Sequence, residues 1–174
     1  MARVVVRLAA IVAVLIVPPL AVAVDAQERP APVAKLAVGA LWFADDGIPK
    51  EDFRGGAVRA YLTPRLSVGP EISFVSGHNH NHVILTGNVT FDVIGPRNGR
   101  PRAVTPFVTA GAGLYRTTES FPFERTFTSS EGTFTAGGGV RIRVARRVLV
   151  GAEARIGWEL HVRLNGLVGV QLGD

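Results

Sequence analysis

The chain has 174 residues, with 19 Lys and Arg against 14 Asp and Glu, 20 Gly, 11 Pro and no Cys. That is one domain's length, with enough chain for a sizeable core, and the lack of cysteine excludes a disulfide framework, a Cys-ligated zinc or iron–sulfur site and a thiol nucleophile. The net charge of +5 comes from scattered Arg, the only lysines being Lys35 and Lys50; a nucleic-acid partner would require basic residues clustered on one face, so none is expected.

Residues 1–26 read as a secretory signal peptide. Arg3 and Arg7 make a positive start, Leu8 to Val17 is an unbroken apolar run, and Pro18-Pro19 ends it ahead of the small residues around a cut after Ala26. The apolar run is too short to span a bilayer's hydrocarbon core of about 30 Å, so an anchor is the weaker reading. Residues 27–34 (QERPAPVA) form a short, Pro-containing linker without periodicity. All 20 glycines follow it, and no second composition shift divides residues 35–174.

From Lys35 onward, apolar residues alternate with polar or small ones, the pattern of half-buried strands. Noisy versions occupy about 35–43 and 55–62. Leu66, Val68, Pro70, Ile72 and Phe74 then oppose Ser67, Gly69, Glu71, Ser73 and Val75, and Val83, Leu85, Gly87, Val89, Phe91 and Val93 oppose His82, Ile84, Thr86, Asn88, Thr90 and Asp92. A fifth segment falls at about 104–116. In the sixth, Phe134, Ala136, Gly138, Val140, Ile142 and Val144 oppose a face that includes Gly137, Gly139, Arg141 and Arg143. The seventh sets Val148, Val150, Ala152, Ala154, Ile156 and Trp158 against Leu149, Gly151, Glu153, Arg155 and Gly157; the eighth sets Leu160 through Leu172 against His161, Arg163, Asn165, Leu167, Gly169 and Gln171. Eight strands with tight turns at 62–65 and 145–147, a somewhat longer one at 95–102, and mostly longer joins at the other end describe an antiparallel up-and-down barrel with both termini at one end.

Alternation alone leaves the inward face open. A soluble carrier would turn its apolar face inside, whereas a transmembrane barrel turns it to lipid. Three features favour the second. The apolar face of the strand cores carries no charge, as lipid requires. The other face is rich in Gly, Ser and Thr rather than in long charged residues, as a narrow lumen needs. Trp42, Phe74 and Trp158 lie on the apolar face near the long-loop end, where an aromatic belt would stand. The polar face then encloses Lys35, Arg59, Arg141, Arg143, Arg155 and Arg163 with Glu71, Asp92 and Glu153. Enclosed charges must pair or stay wet, so a lumen network of Arg–carboxylate bridges and water is expected, its positive excess met by water, chloride or loop carboxylates.

Residues 35–174 resemble the small eight-stranded outer-membrane barrels of Gram-negative bacteria, the broad OmpA-like and OmpX-like group. The segments TPRLSVGPEISF, TPFVTAGAGLYR, FTAGGGVRIRV and VGAEARIGW carry the likeness. Barrels of this group usually end in an aromatic residue, and this chain ends Gln171-Leu172-Gly173-Asp174. The resemblance implies a structural, monomeric outer-membrane barrel with a side-chain-filled lumen and no cofactor. It would be surrounded by outer-membrane lipids and lipopolysaccharide, inserted by the outer-membrane assembly machinery, and free to make contacts through its loops. Two other classes stay open: a secreted lipocalin-like barrel carrying an apolar ligand, and a lipid A-modifying outer-membrane enzyme.

Local motifs add little chemistry. His78, His80 and His82, at i, i+2 and i+4, could face one side of a strand and hold a metal, but no carboxylate ligand accompanies them, and a polar loop tip explains them as well. Glu159-Leu160-His161 lacks a serine at hydrogen-bond spacing, so no nucleophile, base and orienting group assemble. Residues 117–130, with Phe121, Phe123 and Phe127, read as two strands continuing beyond the bilayer and pairing, rather than as a recognition loop. Gly137-Gly138-Gly139 has no phosphate-loop context and fits close strand approach.

Overall fold

The computed structural model describes residues 29–43, 50–76, 80–97, 101–119, 127–158 and 161–173. The expected signal peptide and its cleavage after Ala26 lie outside these residues. Eight strands follow in chain order: β1 (Val33–Phe43), β2 (Lys50–Tyr61), β3 (Leu66–Ser76), β4 (His80–Asp92), β5 (Val104–Glu119), β6 (Phe127–Arg143), β7 (Val148–Gly157) and β8 (His161–Gln171). Each pairs antiparallel with the next, and β8 returns to pair with β1, closing the barrel. Eight paired strands leave no open edge, which is the arrangement that satisfies every ladder group without water.

Two boundaries differ from the sequence reading. The first strand starts at Val33 rather than Lys35, because Val33 is buried at the barrel's end and pairs with both Arg59 and Gln171. The second starts at Lys50 rather than about 55. Glu51 and Phe53 point inward and are buried, while Asp52 and Arg54 point outward and are exposed, so charge on the outer face hid the alternation there. The β5–β6 hairpin runs on to the pair Glu119↔Phe127, making these the longest strands at 16 and 17 residues. Phe121 and Phe123 lie outside the described residues.

The short-turn end is tightly hydrogen-bonded. The Thr63 hydroxyl accepts from the Leu66 amide at 2.9 Å, and the Leu62 amide reaches the Leu66 carbonyl at 2.8 Å. The segments that lead into β1 and out of β8 meet there, the Leu172 amide donating to Pro32 O at 2.6 Å.

The two walls are sorted by chemistry. Leu36 is 71% exposed, Ile156 62% and Val168 52%, whereas Leu41 is fully buried and Arg163 is 2% exposed. The apolar face therefore points outward all round the barrel, and the charged face is enclosed. The soluble-carrier reading needs the continuous apolar face inside, and here that face is outside with the charged residues enclosed. The glycine triplet serves geometry. A Cβ on Gly137 or Gly139 would run into the carbonyl oxygens of Ala154 and Ala152, and the vacant space beside them is taken by the Arg155 stem and the Phe107 ring.

Candidate functional site

The polar features of this chain converge in the lumen, where alternate residues of all eight strands meet. Its middle is an ionic cluster. Glu71 of β3 and Glu153 of β7 face each other across the interior and share three cations. Arg155 reaches Glu71 at 3.0 Å and Glu153 at 2.7 Å, and Arg163 reaches them at 2.5 and 3.3 Å. Lys35 reaches both, at 3.2 and 3.3 Å. Asn88 accepts from Arg155 at 2.8 Å, and Asn165 donates to Glu153 at 3.4 Å. Enclosure strengthens each of these bonds and makes the loss of any member costly.

Toward the short-turn end stands a second cluster. Arg141 pairs with Asp92, and Tyr61 donates to the same carboxylate at 3.2 Å while accepting from Arg141 at 3.2 Å. Arg143, half-buried at the rim, is not drawn into either cluster and donates to Arg146 O at 2.8 Å and Gln171 at 2.9 Å. Arg59 is buried but pairs with no carboxylate among the described residues; its guanidinium lies 5.9 Å from the centre of the Phe107 ring.

The long-loop end is closed differently. Phe43, His82, Tyr115 and His161 stack edge and face, Phe43 lying 5.3 Å from His82 and 5.9 Å from His161. The Tyr115 hydroxyl and His82 Nδ1 are 2.7 Å apart, Thr117 Oγ1 is 3.1 Å from the same nitrogen, and Glu51 lies 3.7 Å from His82 Nε2. Below these rings Leu41, Phe53, Val75 and Ile84 complete an apolar layer, with Arg163 set 4.5 Å over the Phe53 ring. Sequence reading missed Glu51, Phe53, Phe107 and Tyr115 as lumen residues. The signal that could have found them is parity: each falls an even number of positions from an inward residue of its own strand.

His82 is thus a lumen residue held by Tyr115 and Thr117 rather than an exposed ligand. His78 lies outside the described residues, and among those described no group of three metal-ligating side chains occurs. His161 also faces inward, its Nδ1 3.0 Å from Trp158 O. The three aromatics of the expected belt stand on the outer wall at the long-loop end: Trp158 and Phe74 are exposed, Trp42 is half-buried, and Phe134 packs 5.8 Å from Trp158.

No family model and no curated protein matches the sequence. Solved structures do match. Neisserial surface protein A superposes with a TM-score of 0.66 at 13% identity, over 81% of this chain and 96% of that one. The N-terminal β-barrel domain of Pseudomonas aeruginosa OprF gives 0.61 at 12%, over 84% and 100%. Ail, the attachment invasion locus protein of Yersinia pestis, gives 0.56 at 12%, over 83% and 99%. At such identities the likeness lies in strand number, closure and size, and the fold is that of the small eight-stranded outer-membrane β-barrels.

Proposed function

We propose that this chain is a structural outer-membrane barrel: a monomer that spans the bilayer, conducts no steady ion current and presents its extended β5–β6 hairpin at the end opposite Val33 and Gln171. The observation that carries this reading is the sorting of the two walls. A continuous apolar outer surface around an enclosed ionic interior is stable only where hydrocarbon surrounds it, because water would leave that whole band exposed. The aromatic side chains at one rim suit the headgroup region. Membrane lipids and lipopolysaccharide are then its surroundings, the outer-membrane assembly machinery its route of entry, and the extended β5–β6 hairpin its most projecting surface for contacts.

The closed lumen supports the absence of transport. Side chains fill an eight-stranded interior, and here the ionic cluster and the ring stack succeed each other along the axis. Cell fractionation followed by heat-modifiability on a detergent gel tests the reading. Recovery in the outer membrane with a shifted folded band is expected; recovery as a soluble periplasmic protein would overturn it. In planar bilayers the purified protein should give no reproducible large conductance steps.

A further inference from the structure

The lumen charges do not balance, and the surplus is localised. In the central cluster Lys35, Arg155 and Arg163 surround Glu71 and Glu153, and every one of these five groups has a partner of opposite sign. Toward the short-turn end two guanidinium groups, Arg59 and Arg141, have the single carboxylate of Asp92, and Arg141 takes it. The remaining inward carboxylate, Glu51, is at the opposite end beside His82. Among the described residues no further carboxylate therefore supplies the missing charge.

Arg59 is 5% exposed, and its Nε and Nη2 atoms have no hydrogen-bond partner. Arg141 Nε is likewise without one. Both guanidinium groups lie against the Phe107 ring, at 5.9 and 4.6 Å from its centre. Two like charges thus share one aromatic ring, and the ring offsets only part of the cost of enclosing them. Water could satisfy the N–H groups but would leave the charge. An anion satisfies both, through charge-assisted hydrogen bonds. A cavity opens at this end of the barrel and reaches the Arg141 side of the pair, lined among others by Tyr61, Asp92, Arg141, Arg143 and Leu149.

We propose that the short-turn half of the lumen is an anion-binding site, in which a small monovalent anion of the halide class accepts hydrogen bonds from the unpartnered N–H groups of Arg59 and Arg141. The narrow, side-chain-filled interior limits the ligand to this size. Arg143 at the rim adds a positive charge to the entrance. The anion is a structural ion rather than a transported one, because the central cluster closes the path beyond it.

The test uses the full chain folded in detergent, with sodium bromide exchanged for sodium gluconate at constant ionic strength. Stabilisation by a ligand that binds only the folded state grows with its concentration, so the unfolding midpoint should rise by a few degrees as bromide replaces gluconate. The Arg59→Gln variant should keep its folded gel mobility and lose this dependence. Crystals grown in bromide should show an anomalous peak within hydrogen-bond reach of Arg59. Equal midpoints in bromide and gluconate, a peak only elsewhere, or a bromide dependence that persists in folded Arg59→Gln would each overturn the proposal. Should that variant fail to fold, the wild-type titration and the anomalous peak decide alone.

Discussion

The middle of the lumen and its long-loop end are filled on opposite principles. In the middle, three cations and two carboxylates are held in mutual hydrogen bonds, and each group exists in that place only because the others do. At the long-loop end, rings of Phe43, His82, Tyr115 and His161 stack over Leu41, Phe53 and Ile84, and the polar atoms there make short local contacts. The first layer is all-or-nothing, since removing one member strands a charge. The ring stack is graded, since packing and the Tyr115 hydroxyl contact are lost in small steps. A filled lumen is thus not one kind of plug, and the two layers should respond to mutation on different scales.

The largest effect is expected at the ionic layer. Glu71→Ala leaves Lys35, Arg155 and Arg163 with one shared carboxylate and should cost about 3–5 kcal/mol. Urea unfolding of the protein refolded into lipid vesicles measures this, and a loss below that of a single neutral hydrogen bond would refute the all-or-nothing description. On the outer wall, Val168→Arg puts a charge where 52% of the side chain faces outward and should cost about 2–4 kcal/mol if that face meets mid-bilayer. The same assay in vesicles checks it, and an unchanged stability there would argue against hydrocarbon at this position.

The ring layer should yield less. Tyr115→Phe keeps the ring stack with His82 and removes only the hydroxyl contact, for about 0.5–1.5 kcal/mol. If Tyr115→Phe cost as much as Glu71→Ala, the contrast between the layers would vanish. The smallest change is expected at the rim. Trp158→Leu loses the pairing with the Phe134 ring, worth about 0.5 kcal/mol at a half-exposed site. Tryptophan fluorescence quenched by brominated lipid, compared between the wild type and Trp158→Leu, should assign the Trp158 signal to the headgroup depth.

Much of this architecture was legible because period two is unambiguous once strands are long. From Lys35 to Leu172 alternation marked which residues share a wall, and the outward stations of Leu36, Val38, Phe134 and Val168 follow that parity. It failed where the outer face leaves the apolar band. Asp52 and Arg54 face outward at the long-loop end, so β2 was read short and Glu51 and Phe53 were left in a loop. It also said nothing about what fills an interior. Val75, Ile84, Leu149 and Leu167 stand on the face read as polar, and all four are buried. Away from the central charges a narrow barrel must exclude water by packing, and large apolar side chains do that as well inside a lumen as inside any core. The partner of each charge was not legible either. Glu71 and Glu153 are separated by 82 positions in the chain, and only the curvature of the closed sheet brings them to the same three cations.

The pairing of β1 with β8 has a consequence for how the molecule is made. Seven of the eight ladders join neighbours along the chain, but Val33 must find Gln171 and Phe43 must find His161. Until that seam forms, two long strands present unpaired amides and carbonyls, and in hydrocarbon each such group costs several kcal/mol. An open sheet of eight strands therefore has no stable resting place in the bilayer, and the seam couples β1 to β8. Insertion should proceed as one concerted event rather than strand by strand, with the edges shielded until the moment of closure.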